Sequence, residues 1–313
     1  MGKFMPEDHE NLGFERLVGE MYPAGRLIRS WTLTGGVSAQ VTALEIALPE
    51  NEVKKVVVRR YGEADLAGDG QIAAHEFTLL QTVQAAGVPV PSPLFYDQSG
   101  RIFPKPFIVI EFVEGETILE PADIGREDFF GQFAASLTGI HRIKLETQDL
   151  PFLPDMTQEI AAKLARKPAQ LDDSLQEGKI RAVLEKVWPL PQTNPLGLLH
   201  GDYWPGNILW REGRLAVVLD WEDARRGDPL ADLANTRLEI LWSYGAEALE
   251  IFTRRYKELM ALDYTNLPYW DLCAALRPAG RIALWAGSPE KEKVMRERHA
   301  FFVAQAFESL SLL

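Results

Sequence analysis

The stretch HGDYWPGNILWREGRLAVVLDWEDARRGDPLADLA, His200 to Ala234, decides how this chain is read. It sets Asp202, Asn207 and Asp220 in order, with a tight Pro205-Gly206 loop between the first two and an apolar run, Leu215 to Leu219, leading into the third. A carboxylate beside an acceptor hydroxyl, followed by an amide and a second carboxylate as hard oxygen ligands for a divalent cation, suits phosphoryl transfer with magnesium. Asp and Asn also occur as ordinary turn and cap residues. Here they come with a glycine- and proline-shaped loop and a preceding apolar run, which turn chemistry alone does not require.

The bulk properties fit a folded enzyme-sized protein. At 313 residues and 46% hydrophobic content, the chain can bury a substantial core as one large domain or two moderate ones. A net charge of -12 argues against a general nucleic-acid surface, which needs basic patches to replace phosphate counterions. It accommodates a neutral or cationic small molecule instead. One cysteine, Cys273, excludes an internal disulfide framework and fits a reducing compartment. The opening MGKFMPEDHENLGFERL has no basic segment followed by an apolar core. No apolar span of about 18 residues follows, so the expectation is a cytoplasmic protein without a membrane partner. Its oligomeric state is not encoded in any pattern found.

Working outward, the first third reads as strands: Arg26 to Thr34, Ala39 to Leu48 and Val53 to Arg60, broken by Gly35-Gly36 and Pro49-Glu50-Asn51. Gly70 to Ala86 has apolar residues at three- and four-residue spacing and ends at Gly87, the pattern of an amphipathic helix. Two further strands are expected at Leu94 to Asp97 and Pro106 to Val113. Beyond Glu114-Gly115 the periodicity turns helical, in Asp128 to Lys144, Thr157 to Val187 and Leu230 onward. The predicted fold is therefore α+β, with an N-terminal antiparallel sheet carrying one helix (residues 1–113) and a mainly helical C-terminal part (residues 114–313).

The HGD-x4-N signature, the strand ending in Asp-Trp and GDP-x2-DLA resemble the aminoglycoside phosphotransferase and choline kinase-like family, relatives of the protein kinases with a two-lobe fold. The resemblance implies ATP and Mg2+ as cofactors, Asp202 as the catalytic base, Asn207 and Asp220 as magnesium ligands, and His200 as a loop-shaping residue. It makes Thr34-Gly35-Gly36-Val37-Ser38 the phosphate-covering turn, with Gly35, Gly36 and Ser38 near the nucleotide. Taken alone, a Gly-Gly hairpin turn is the commoner explanation of that pair. Where the family's third strand usually ends in a phosphate-gripping lysine, this chain has Arg59 and Arg60. Arg59, longer and planar but permanently charged, is the one expected to face the nucleotide and to pair with Glu76, leaving Arg60 in solvent. The extended segment through Glu111 and Val113 resembles the hinge whose backbone bonds the adenine edge; an edge strand that merely ends fits those residues as well. Asp228 and Asp232 are expected to cap the next helix and hold the catalytic loop.

Other motifs weigh less. Asp65 to Glu76 matches an EF-hand loop at its first, fifth, sixth, eighth and twelfth positions but has Ala67 at the third, where a ligand belongs, and follows a strand pattern rather than a helix, so Asp69-Gly70 is read as a helix cap. Gly68 to Ala73 mimics a dinucleotide fingerprint without a strand running into it, and no HExxH, Walker A or G-x-S-x-G sequence exists. Trp204, Trp221, Trp242 and Tyr244 are either an aromatic wall for a cation or, more simply, core. Two functions stand against each other: an ATP- and Mg-dependent phosphotransferase acting on a hydroxyl of an aminoglycoside-, choline- or related amino-alcohol- or sugar-type molecule, and a catalytically silent nucleotide-binding regulator of the same fold.

Overall fold

Alternation along the third strand organises the N-terminal part of the chain. In the computed structural model, which describes residues 6–33, 39–118, 126–145, 148 and 150–312, strands β1 (Arg26–Thr32), β2 (Ala39–Ala47), β3 (Val53–Tyr61), β4 (Pro93–Asp97) and β5 (Phe107–Glu111) form one antiparallel sheet. Its order is β1-β2-β3-β5-β4. β3 is central, with Val57 opposite Ala43 on one side and Ile110 on the other. That position explains its run of valines, since both faces are covered. Val56 and Val58 point into a core with Leu44, Ile46, Phe107 and Val109, closed by Phe14, Leu17 and Val18 of helix α1 (Pro6–Met21). Arg59 and Tyr61 turn the opposite way, toward Glu76 on α3 (Ile72–Ala85). A short helix α2 (Glu63–Gly68) joins β3 to α3.

The expected sheet and its helix are present; α1 is an addition, and it changes the account of Arg60. Strand alternation places Arg60 on the face shared by Val56 and Val58. There its guanidinium lies 5.3 Å from the Phe14 ring and 5.0 Å from that of Phe103, half-buried rather than solvated. The expectation of a solvent-facing Arg60 fails because Phe14 of α1 and Phe103 cover its guanidinium. Asp69 does cap α3: its carboxylate accepts the Gln71 N–H at 2.8 Å and meets the His75 ring nitrogen at 2.6 Å.

The rest of the chain is mainly helical. It runs α4 (Arg126–His141), α5 (Met156–Ala165), α6 (Glu177–Val187), β6 (Gly197–Leu199), β7 (Ile208–Arg211), β8 (Arg214–Val218), β9 (Arg225–Gly227), α7 (Pro229–Tyr244), α8 (Ala246–Leu259), α9 (Leu267–Ala275), α10 (Ile282–Ala286) and α11 (Pro289–Ser311). Its center is aromatic and aliphatic: Phe129 and Phe133 from α4, Tyr203 and Phe252 are fully buried. β7 and β8 form a hairpin through Glu212 and Gly213, both with positive φ, the turn whose twist matches its strands. By contacts the chain divides into two compact units, Met1–Ala85 with Pro89–Glu114, and Ala86–Val88 with Gly115–Leu313. No helix among the described residues is long and apolar enough to cross a membrane.

Candidate active site

The loop after β6 is held from behind by one buried carboxylate. Asp232, on the first turn of α7, accepts the backbone N–H of His200 at 2.6 Å and of Gly201 at 2.9 Å, while the His141 Nε2–H reaches the same carboxylate at 3.2 Å. Burial by itself would raise the Asp232 pKa. The His141 bond, the His141 and His200 rings and the Gly201 amide outweigh it, and the group is held below the ordinary carboxylate value. His141 in turn accepts from the Tyr256 hydroxyl at 2.6 Å. Asp228 caps α7 by accepting the Leu230 N–H at 2.9 Å. Both aspartates therefore do what the sequence predicts of them.

Gly201 cannot be another residue without moving the chain. Its φ is +82°, and a Cβ there would lie 1.8 Å from the Asp223 carbonyl oxygen. His200 is buried and its Nε2–H donates to the Leu219 carbonyl at 2.9 Å, which leaves Nδ1 to accept the Asp202 N–H at 3.3 Å. Burial lowers its pKa, so the ring is a neutral brace between the loop and the end of β8. This matches the loop-shaping role expected for it.

Asp202 is half-buried at the tip of that loop. The Asn207 side-chain nitrogen donates to its backbone carbonyl at 3.0 Å and to Oδ2 at 3.3 Å. Both partners only accept, so the NH2 of Asn207 must face Asp202 and its Oδ1 must face away. The Leu219 N–H bonds the Asn207 carbonyl at 2.8 Å, tying this amide to the strand that delivers Asp220. Asp220 itself is exposed, with φ +62°, a left-handed kink where β8 ends. An amide oxygen and an exposed carboxylate are hard oxygen donors, the kind that magnesium takes, so these residues fit such an ion.

In the sheet unit, Arg59 and Glu76 form the anticipated buried pair, NH1 to Oε1 at 2.9 Å. Tyr61 donates its hydroxyl to the other carboxylate oxygen at 2.5 Å, so Glu76 is engaged on both sides. Glu111 ends β5, with its N–H on the Ser92 carbonyl at 2.9 Å and its carboxylate on the Ser92 hydroxyl at 2.8 Å. Its carbonyl, rather than its amide, is what it could offer a base. Val113 follows the strand, half-buried. Gly35, Gly36 and Ser38 lie outside the described residues. Trp221 and Trp242 are core: the former packs on His200 and the latter donates its indole N–H to Met295.

Several residues near Asp202 went unread in the sequence. Arg277, just past α9, bonds Asp202 Oδ1 at 2.9 Å. Asn235 and Glu239 continue the face of Asp232 at spacings of three and four along α7, and the Glu239 pKa is raised to about 7, by burial first, with Arg277 opposing and Asp202 reinforcing. A cavity of about 200 Å³ opens beside the loop, lined among others by Ile160, Lys163, Gly201, Asp232, Asn235 and Arg277. The polar residues at helical spacing on otherwise apolar α7 were the available signal; Lys163 and Arg277 carried none.

The comparisons agree with this geometry. A sequence model of the phosphotransferase enzyme family (APH) matches residues 33–272. Among curated relatives, acyl-CoA dehydrogenase family member 11 of Rattus norvegicus is 25% identical over 248 residues, 70% of this chain and 32% of that protein. Acyl-CoA dehydrogenase family member 10 of Mus musculus is 26% identical over 192 residues, 58% of this chain and 18% of that protein. The chain thus spans about a third or less of the length of these relatives. Among solved structures, macrolide 2'-phosphotransferase type I superposes with a TM-score of 0.63 at 16% identity, covering 95% of this chain and 98% of that one. A thermostable mutant of aminoglycoside phosphotransferase APH(4)-Ia, in ternary complex with AMP-PNP and hygromycin B, gives 0.61 at 16% identity, covering 93% and 98%. At this identity the likeness is one of fold.

Proposed function

This chain belongs to the phosphotransferase enzyme family and is a small-molecule kinase, and we propose that it moves the γ-phosphate of ATP, with Mg2+, onto a hydroxyl held beside Asp202. The observation that carries the proposal is the loop itself: Asp202 presented at its tip, braced by His200 and by Asp232, with Asn207 locked against it. The sheet unit would be the nucleotide-binding lobe and the helical unit the catalytic one.

In this reaction the acceptor oxygen bonds to the γ-phosphorus, the bond from that phosphorus to the β,γ-bridging oxygen breaks, and ADP leaves. The hydroxyl proton passes to the Asp202 carboxylate, assistance of roughly 10²–10⁴-fold in rate. Asn207 Oδ1 and Asp220 would hold magnesium, which neutralises charge on the phosphates when bound. Arg59, kept in place by Glu76, would neutralise phosphate where the family has lysine; its fixed charge meets that need and its planar fork alters the geometry. Gly35, Gly36 and Ser38 would cover the phosphates, and the backbone at Glu111 and Val113 would face the adenine. Protein of this charge and size acting on a small metabolite suits a cytoplasmic setting.

ADP release measured with ATP, Mg2+ and a panel of alcohols, among them amino sugars, amino alcohols, macrolides and hydroxy acids, tests the proposal. Acceptor-stimulated release is expected. Tight nucleotide binding with no release stimulated by any acceptor would favour a silent regulator of the same fold.

A further inference from the structure

Two polar groups in the cavity beside Gly201 are left without the partners their chemistry calls for. Asn235 is 5% exposed, and neither its amide nitrogen nor its amide oxygen has a hydrogen-bond partner. Burying both without partners is unfavourable, and such groups in a cavity point to a ligand that completes them. Lys163, half-buried on α5, donates to the Leu276 carbonyl at 3.2 Å. Among the described residues no carboxylate lies within ion-pair distance of its ammonium.

We propose that this cavity receives an anionic group, a carboxylate or a phosphate, of the molecule whose hydroxyl is phosphorylated, with Lys163 and Arg277 as its counter-charges and the Asn235 amide as its hydrogen-bonding partner. The proposal rests on the phosphotransferase function above and specifies its acceptor.

The charges around the cavity are unequally matched. Arg225 is neutralised by Glu159 and Asp223. Asp232 is satisfied by two backbone amides and His141. Burial first, then Arg277, with Arg181 and Arg281 behind it, lowers the Lys163 pKa to about 8. An entering anion relieves that repulsion, and a cation adds to it. Arg277 is bonded to Asp202 Oδ1, the atom that a hydroxyl would need. An anion that draws the guanidinium toward Lys163 also leaves this oxygen to the acceptor. Ligand pockets for drug-sized molecules run to roughly 300–1,000 Å³; about 200 Å³ suits a short acid or the charged end of a longer one. The acidic charge of the whole chain does not govern this local balance, so the cationic acceptor it accommodates is disfavoured here.

Titration calorimetry without nucleotide tests this, using 3-hydroxybutyrate, glycerol 3-phosphate, uncharged 1,3-butanediol and choline against the wild type and Lys163→Met. At least one anion is expected to bind about tenfold or more tightly than the diol and choline, the carboxylate and phosphate arms telling which group is preferred. Lys163→Met is expected to lose about tenfold in that affinity while keeping its ATP affinity and a melting temperature no lower than that of the wild type. Choline or the diol binding as tightly, neither anion binding at millimolar concentration, or equal anion binding by the variant would each overturn the proposal. Anion binding that follows Lys163 without any phosphate transfer would instead count against the enzyme function and leave the pocket's preference standing.

Discussion

Replacing Asp232 with asparagine should loosen the catalytic loop more than any single change on its surface. The carboxylate accepts three donors, the amides of His200 and Gly201 and the ring of His141, at 2.6, 2.9 and 3.2 Å. An asparagine in the same pose puts an NH2 against at least one of those donors. The two oxygens of the carboxylate are each aimed at a backbone N–H, so one amide then faces another donor while buried. Losing charge assistance costs about 1.5–3 kcal/mol and stranding a buried N–H about 1–3 kcal/mol, so a total of about 3–5 kcal/mol is expected. For a chain of this size that lowers Tm by on the order of 10 °C, read by scanning calorimetry at pH 7. Acid should narrow the difference. The folded pKa of Asp232 lies below its ordinary 3.8, so its stabilisation is complete well above that value and is lost as pH falls through the folded pKa. A Tm within about 2 °C of the wild type, or a difference that widens in acid, would refute the idea that this carboxylate is what holds the loop.

Asn235→Leu should raise stability by about 1–2 kcal/mol, since two unsatisfied buried atoms give way to an apolar side chain of similar size; thermal unfolding reads this, and acceptor affinity should fall. Glu76→Ala removes the buried carboxylate that holds both Arg59 and the Tyr61 hydroxyl, an expected loss of about 3–5 kcal/mol by urea unfolding, with weaker nucleotide binding. Lys163→Met should stabilise the protein at pH 7 by about 1–3 kcal/mol. The folded Lys163 pKa, about 8, is below its ordinary 10.5, so the unfolded chain takes up the proton more readily, and the advantage of the variant should vanish as pH rises from 8 toward 10.5.

What was legible in the sequence is what local chemistry fixes. His200, Asp202, Asn207, Asp220, Asp228 and Asp232 lie within one stretch, and the loop, strand and helix cap they form are short-range structures. Arg59 and Glu76 were also readable, because strand alternation and helical spacing each restrict where a side chain can point. Arg60 was misread for a related reason: its environment depends on α1, whose PEDHENLGFERLVGEM mixes glycines and charges with its apolar Phe14, Leu17 and Val18. Lys163, Asn235 and Arg277 come together from α5, α7 and the turn after α9. No spacing rule links positions so far apart, and unsatisfied or unbalanced groups become visible only when their neighbours are known.

Everything proposed for this site turns on Asp202 taking the proton of an acceptor hydroxyl. The direct measurement is steady-state ADP release by Asp202→Asn with a saturating acceptor, alongside its ATP affinity and Tm. A fall of about 10²–10⁴-fold in kcat with ATP affinity and Tm nearly unchanged is predicted. Full activity in that variant would show that Asp202 is not the base.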